Sequence, residues 1–268
     1  KDGAFLYATT DIATVLYRRD RLQAERAIYV VDQRQSLHFK QLFAVMSRLG
    51  VEMHLQHIGF GTVLGGDGKP LKTREGGVVR LDALLTEAER RAAERMYQEG
   101  LNLDADQIAE LSPLVGIGAI KYADLKQNRL SDYQFDWDKM LSFKGNSGPY
   151  IQYARARVQS IFRKAGIEPE QAVTEAPLDL QHPAEIGLGK HLIRFADVVH
   201  EAAESGNPHL VCDHLYALAR LFSVFFESCP VLRAEDGRRE DRLLLCLLVA
   251  RQIKRGLDLL GIGAPDRM

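Results

Sequence analysis

The chain has 268 residues, 46% apolar and 26% charged, which is enough for one large or two modest soluble domains. Its formal charge of −1 excludes a strongly basic protein, so any surface for a polyanion must be a local patch. No secretory signal follows Lys1, and the longest apolar run, Leu243–Ala250, is far shorter than the ~20 residues of a membrane span. We therefore expect a cytoplasmic protein with no membrane partner.

The first third of the chain alternates between strand-like and helix-like patterns. The predicted elements are a strand at 4–9, a helix at 11–23, a strand at 27–31, a helix at 37–49 and a strand at 51–60. This alternation predicts a parallel sheet with crossover helices, whose ligands bind beyond the carboxyl ends of the strands. The polar residues at or near those ends are Tyr7, Asp11, Gln35 and His57.

From Leu81 onward the strand signals stop and helical periodicity takes over. The predicted helices are 81–99, 105–125 (interrupted at Pro113), 148–165, 184–204, 208–227 and 239–260. Residues 167–183 contain three prolines and are predicted to be a connector. The fold class is therefore α/β followed by an all-α helix bundle.

A basic, glycine-flanked loop runs from Gly61 to Gly77 between a strand-like and a helix-like segment. Glycines allow a close backbone approach to a ligand, and the ammonium groups of Lys69 and Lys72 beside Thr73 suit a polyphosphate. No Gly-Lys-Ser/Thr opens a helix here, so the loop is not a Walker A motif. The alternative, a solvated basic surface turn, stays open on this loop alone.

Two other patterns favour structural interpretations. His209, Cys212 and His214 have a spacing that could suggest zinc, but no second ligand pair follows, so we expect a core helix and no bound metal. The three cysteines are sparse and form no CxxC, which indicates free thiols in a reducing compartment.

Five blocks in the same order resemble the C-terminal half of bacterial arginyl-tRNA synthetases, which are class I aminoacyl-tRNA synthetases. They are FLYATTDIA (5–13), YVVDQRQSLHFKQLF (29–43), HIGFGTVLGGDGKPLKTREGG (57–77), the segment 115–161 and GLDLLGIGAPDRM (256–268). The resemblance implies residues 1–138 as the C-terminal half of a Rossmann-like catalytic domain, with connecting helices from about 81. It implies residues 139–268 as a helical anticodon-binding domain.

The reaction implied by the resemblance has two steps. The carboxylate of L-arginine attacks the α-phosphate of ATP, which enters with Mg²⁺, and gives arginyl-adenylate and pyrophosphate. The arginyl group then passes to the terminal adenosine of tRNA(Arg), and members of the family typically need bound tRNA even for the first step. The implied partners are therefore ATP, L-arginine and tRNA(Arg), and we expect a monomer.

The segment Lys69-Pro70-Leu71-Lys72-Thr73 resembles the KMSKS signature of class I enzymes. Both lysine positions and the final hydroxyl are kept, while Pro and Leu replace Met and Ser. By this similarity Lys72 stabilises charge that develops on the polyphosphate, with Lys69 and Thr73 beside it.

By the same similarity the guanidinium of arginine lies among Tyr7, Asp11 and Gln35. A carboxylate and a guanidinium form two parallel charge-assisted hydrogen bonds, and Tyr7 and Asp11 are expected on either side of a strand-to-helix turn. The plainer interpretations stay open: Asp11 as a favourable charge in the first turn of a helix, and Gln35 as an ordinary polar residue at a helix start.

The segment His57-Ile58-Gly59-Phe60 resembles the HIGH signature, but in the family this position belongs to a separate segment near the adenine. His57, Gly59, Phe60 and Val63 are therefore candidate ATP contacts, with a structural histidine as the alternative for His57. The HIGH signature itself lies in the first half of the family's fold. We accordingly expect a fragment that cannot form arginyl-adenylate alone.

The helix predicted at 148–165 carries candidate tRNA contacts. Aromatic side chains stack on unpaired bases and arginines bind phosphates, which indicates Tyr150, Tyr153, Arg155 and Arg157, and the family adds Met268. The alternative is that a tyrosine packs in the core and the arginines form a solvated face. A rival function is a non-catalytic tRNA-binding module derived from the same half, and a third is an unrelated ATP-binding protein.

Overall fold

The computed structural model describes residues 4–71, 80–173, 177–234 and 238–268. It divides into two compact units: residues up to Pro70 together with Arg129–Gln134, and Leu71–Asn128 together with Phe135–Met268. The first unit holds the strands and the second is helical.

The first unit is built on a β-α-β motif. Its elements are α1 (Tyr7–Asp20), β1 (Arg26–Asp32), a short 3₁₀ helix (Gln33–Gln35), α2 (Ser36–Arg48), β2 (His54–Phe60), β3 (Val63–Leu64) and β4 (Tyr133–Gln134). Strands β1 and β2 are parallel and in register from Arg26–His54 to Asp32–Phe60, which confirms the predicted parallel pair with its crossover helix. Helix α2 and α1 pack on one face of this pair around Val15, Phe39 and Met46.

Two predictions for this unit are wrong. Residues 4–9 were expected to form a strand, but α1 already begins at Tyr7. A short apolar run does not by itself separate strand from buried helix, and here the N-cap residue Leu6 offers no side-chain cap to mark the helix start. Strands were also expected to end before Leu81, but β4 lies beyond it and pairs in parallel with β3, about seventy residues earlier in the sequence.

The second unit is a helix bundle. Its helices are α3 (Leu81–Gln98), α4 (Ala105–Leu125), α5 (Trp137–Met140), α6 (Gly148–Ala165), α7 (Pro183–Leu192), α8 (Phe195–Ser205), α9 (His209–Ser228) and α10 (Arg238–Leu259). Its main core lies among α6, α7, α9 and α10, where Leu188, Leu215 and Ile253 are fully buried. A smaller core joins α3, α4 and the segment around Phe143.

Two helix predictions in this unit need correction. Helix α4 is continuous through Pro113, and the Ser112 hydroxyl donates to the Ala109 carbonyl, whose usual helical donor the proline lacks. The helix expected at 184–204 is broken into α7 and α8, and at the break the Gln252 side-chain amide donates to the Leu192 carbonyl.

Candidate functional site

Tyr7 and Asp11 lie one turn apart on α1, and so on one face of that helix, rather than on either side of a strand-to-helix turn. Tyr7 is 89% exposed. Asp11 lies beyond the first turn, so the helix-dipole interpretation of its charge loses its geometric basis. Its Oδ2 lies 2.7 Å from Nε2 of His38 on α2, a partner that the sequence analysis missed.

Gln35 ends the 3₁₀ helix that follows β1 and stands directly before α2, where its side chain makes no capping hydrogen bond. Just ahead of it, Asp32 accepts hydrogen bonds from the backbone and guanidinium of Arg34, which lowers the pKa of Asp32 to about 2. The turn beyond the carboxyl end of β1 is therefore fixed by its own charges, and Gln35 is exposed beside it.

His57 has the contacts of a structural histidine. Its ring stacks on Phe39 of α2 with centroids 4.6 Å apart, and its Nε2 lies 2.9 Å from the Val31 carbonyl of β1. These contacts tie β2 to β1 and α2. They favour the structural alternative for His57, and its contact with ATP stays a prediction.

Gly59, Phe60 and Val63 follow along the end of β2, and the chain segment 129–134 holds this stretch in place. Arg129 donates to the Gly59 carbonyl at 2.8 Å, and the Gly61 amide donates to the Arg129 carbonyl at 2.7 Å. Val63 pairs with Tyr133 in the β3–β4 ladder, while Phe60 is exposed at the edge. Sequence patterns gave no signal for this return of the chain, because β4 is only two residues long.

The glycine-rich loop begins as a tight turn. The Gly65 amide donates to the Lys69 carbonyl at 2.8 Å, and Leu64 and Pro70 form an antiparallel bridge. Gly68 has φ of +72°, a conformation that favours glycine, and Lys69 is exposed at the end of the turn. Lys72 and Thr73 lie outside the described residues.

The first unit therefore brings most of its candidates to one edge. Gln35 follows the carboxyl end of β1, and Gly59 and Phe60 form the carboxyl end of the adjacent β2, whose last residue is paired with Asp32. Asp11 reaches the start of α2 through His38. An edge with a carboxylate, an exposed phenol and a following lysine turn can bind a cationic ligand together with an anionic one.

Helix α6 in the second unit presents aromatic and basic groups in pairs with its neighbours. Tyr150 packs edge-on against Tyr216 of α9 with centroids 5.8 Å apart, and Arg157 lies 5.1 Å from the ring centre of Phe226. Tyr153 packs against Phe143 in the smaller core. Tyr150 and Arg157 are partly exposed, and Phe226 is 40% exposed, so this face can stack on planar groups.

Arg155 is not on that face, since it is only 5% exposed. Its Nη1 donates to the Ala264 carbonyl at 2.7 Å, and its Nη2 lies 2.5 Å from Asp266 Oδ1. Gln152, Gln159 and Arg163 extend the same stripe of α6 along the tail after α10. Arg155 thus fixes the C-terminal tail. It is neither part of a solvated helix face nor free to bind a phosphate.

Met268, at the end of that tail, packs partly buried against the smaller core that contains Met96 and Ile108. Its contact with tRNA stays a prediction. The tail is therefore anchored at both ends, by the α6 stripe and by this core.

The histidine–cysteine pattern of α9 belongs to the core, as predicted. Cys212 is buried, which raises the pKa of its thiol to about 12, and His214 bonds to Gln252 at 2.9 Å. Across the described ranges, no three His, Cys, Asp or Glu side chains are grouped to hold a metal ion. By length and composition α9 could cross a membrane, a test that buried core helices of soluble proteins also pass.

Comparison with known proteins assigns both parts of the chain. Residues 1–137 match the family profile described as tRNA synthetases class I (R), catalytic domain, and residues 151–268 match the DALR anticodon binding domain. Arginine–tRNA ligases of Pseudomonas fluorescens Pf0-1 and Proteus mirabilis HI4320 are 46% and 47% identical to it over its whole length. The chain spans about half the length of these relatives, 46% and 47% respectively.

Solved structures agree with these matches. The arginyl-tRNA synthetase of Thermus thermophilus superposes over 100% of this chain and 50% of its own with a TM-score of 0.87 at 31% identity. That of Plasmodium falciparum covers 100% of this chain and 45% of its own with a TM-score of 0.84 at 33% identity. The chain therefore belongs to the class I arginyl-tRNA synthetase family and corresponds to part of a catalytic domain followed by a DALR anticodon-binding domain.

Proposed function

We propose that the full-length protein is an arginine–tRNA ligase, which activates L-arginine with ATP and Mg²⁺ and transfers it to the 3′ end of tRNA(Arg). The observation that carries the proposal is the order of two profiles in one chain, a class I (R) catalytic domain and a DALR domain. We place the functional boundary near residue 138, in keeping with the ends of those profiles. We further propose a cytoplasmic monomer.

Arginine is proposed to bind at the face of α1 that carries Tyr7 and Asp11, with Gln35 nearby. The supporting contact is the Asp11–His38 pair, in which one carboxylate oxygen is held by the ring and the other remains to meet a guanidinium. Tyr7 is exposed one turn away on the same face and offers a phenol to the same ligand.

ATP is proposed to lie along the edge formed by Gly59, Phe60 and Val63, with Mg²⁺ entering on the nucleotide. A Cβ added at Gly59 would collide with the side-chain amide of Gln33, so glycine lets this backbone lie close to the turn that follows β1. Lys69, with Lys72 and Thr73, is proposed to meet the departing pyrophosphate, where fixed positive charge lowers the energy of the transition state.

The tRNA is proposed to contact α6 through Tyr150, Tyr153 and Arg157, and the tail through Met268. The partly exposed Arg157–Phe226 pair supports base stacking and phosphate binding at this face. We assign Arg155 an indirect part, because its guanidinium is committed to Ala264 and Asp266.

The test is arginine-dependent ATP–pyrophosphate exchange by the purified full-length protein, with and without tRNA(Arg), and with lysine in place of arginine as the control. Exchange that requires arginine, and that tRNA stimulates, is the expected result. Binding of tRNA(Arg) with no exchange under any condition would replace the ligase by a non-catalytic tRNA-binding module.

A further inference from the structure

A second basic site lies beside the start of α6, between the C-terminal end of α4 and the loop that leads into α6. It is a cavity of about 400 Å³ lined by Lys126, Asp138, Lys139, Ser142, Lys144, Gly145 and Asn146. Three ammonium groups face one carboxylate, so the cavity is net positive although the whole chain carries a charge of −1.

The floor of the cavity is rigidly built. The buried Tyr122 hydroxyl lies 2.7 Å from the Asn146 side-chain oxygen, and Lys126 Nζ donates to the Asn146 carbonyl at 2.7 Å. The Ser147 hydroxyl bonds back to the Ser142 carbonyl and caps α6. A ligand therefore meets a preformed loop, which reduces the ordering cost of binding.

The lysines retain unused binding capacity. In the part of the chain that the structure describes, neither Lys126 nor Lys144 has a carboxylate within ion-pair distance. Lys139 forms a solvent-exposed ion pair with Asp136, with Nζ 3.4 Å from Oδ2. Burial is the main cause that lowers the pKa of Lys126, and the positive charge of Lys139 adds a smaller lowering. Two ammonium groups that repel each other across one cavity gain from an anion placed between them.

The lining indicates which anion. No aromatic or branched aliphatic side chain lines this cavity, so the groups available for recognition are its ammonium, carboxylate, hydroxyl and amide groups. Mobile lysine point charges suit phosphate groups without demanding one geometry. The loop also runs directly into α6 at Ser147, one turn before Tyr150 on the proposed tRNA face.

We infer that Lys126, Lys139 and Lys144 bind a backbone phosphate of the tRNA that lies on α6. The inference rests on the proposed tRNA binding and adds to it a site that carries charge but no base recognition. Because such contacts release counterions, each one contributes about 0.7–0.9 to the slope of log K against log salt concentration.

The test is the affinity of the full-length protein for tRNA(Arg), measured by fluorescence anisotropy from 50 to 250 mM KCl. The variants are Lys139→Ala and Lys144→Ala at exposed positions, and Lys190→Ala on α7 is a control with the same change in charge. We expect each cavity variant to weaken binding about 3- to 10-fold at low salt and to reduce the salt slope by about 0.7–0.9, while Lys190→Ala does neither.

Two further variants sharpen the result. Lys144→Arg keeps the charge and is expected to restore the affinity, and Asp138→Asn removes the carboxylate of the cavity and is expected to tighten binding. Thermal denaturation of each variant excludes a loss caused by unfolding.

Three outcomes would overturn the inference. One is cavity variants whose salt slope equals that of the wild type, and another is an equal loss in Lys190→Ala. The third is calorimetric binding of inorganic phosphate that Lys144→Ala abolishes while tRNA affinity stays unchanged, which would make this a small-anion site. By contrast, a wild-type protein that binds no tRNA at all would refute the proposed function itself.

Discussion

At the residue scale, His38 is the side chain on which the proposed arginine site most depends after Asp11. Its Nε2 fixes one oxygen of the Asp11 carboxylate at 2.7 Å. Loss of a hydrogen bond of this kind costs about 1 kcal/mol, so His38→Ala is expected to raise the KM for arginine about 5-fold with little change in kcat. Steady-state arginylation kinetics of the full-length protein measure both constants.

The matched control for that variant is His54→Ala, at an exposed position at the start of β2. His38→Gln retains a donor and should recover part of the loss. An unchanged KM in His38→Ala would mean that the pair has no part in holding arginine.

The buried His214 is expected to make the stability of the protein depend on pH. Burial lowers its pKa below the ordinary value of 6.5, outweighing the Gln252 hydrogen bond, and the neighbouring His191 and Arg194 add to the lowering. The unfolded chain therefore binds this proton more readily, so stability falls as pH drops below about 6.5 and continues to fall until the folded protein is also protonated.

Urea denaturation from pH 8 to pH 5 measures this loss. His214→Asn is expected to flatten the dependence on pH, while the exposed His200→Asn leaves it as in the wild type. Equal slopes for all three proteins would assign the acid sensitivity to other groups.

At the scale of elements, α6 and the C-terminal tail are expected to act as one unit. Asp266→Ala leaves the Arg155 guanidinium buried with only the Ala264 carbonyl, and Arg155→Ala removes both contacts. The two changes should therefore couple by about 1–2 kcal/mol in the free energy of unfolding. A double-mutant cycle measures the coupling, with Lys164→Ala as the exposed control on the same helix.

The same cycle applies to tRNA affinity. If Arg155 acts through the tail, Arg155→Ala and removal of residues 266–268 should weaken binding by similar factors, and the combination should be no weaker than either. Additive losses would instead show that Arg155 contacts the nucleic acid directly.

The second prediction at this scale concerns the close contact between the end of β2 and segment 129–134. An added Cβ at Gly61 would lie 2.7 Å from the Ser131 carbonyl oxygen, a backbone atom that cannot turn away. Gly61→Ala is expected to destabilise the protein by about 1–3 kcal/mol, as overpacking usually does. Gly66→Ala, with open space around the new methyl, is the control in thermal denaturation, and equal melting temperatures would contradict the argument.

These elements also show what a sequence can and cannot predict. The long periodic helices and the β1–α2–β2 motif follow from local patterns, and were predicted. The break between α7 and α8 is accompanied by a bond from the Gln252 side chain of α10, and in α4 a serine hydroxyl binds the carbonyl that Pro113 leaves without its donor. Neither contact leaves a periodic signal.

At the scale of the molecule, the change from α/β to all-α followed from the hydrophobic periodicity, and the family followed from ordered motifs along the chain. Within the site, the family resemblance was enough to nominate Asp11, but not its partner His38 twenty-seven residues away. For Arg155 the residue type suggested the wrong environment. A basic residue on a helix is expected at the surface, and only the fold reveals that the tail covers it.

The measurement that tests the account most directly is transfer of labelled L-arginine to tRNA(Arg) by the full-length wild type, Asp11→Asn and Asp20→Asn. Asp20 lies on the same helix and pairs with the exposed Arg19, so it controls for the lost charge. Loss of the charge-assisted contact between Asp11 and the guanidinium costs about 3 kcal/mol, which predicts a fall of about 100-fold in kcat/KM for Asp11→Asn alone. Arginylation by Asp11→Asn at the rate of Asp20→Asn would contradict the proposed arginine site.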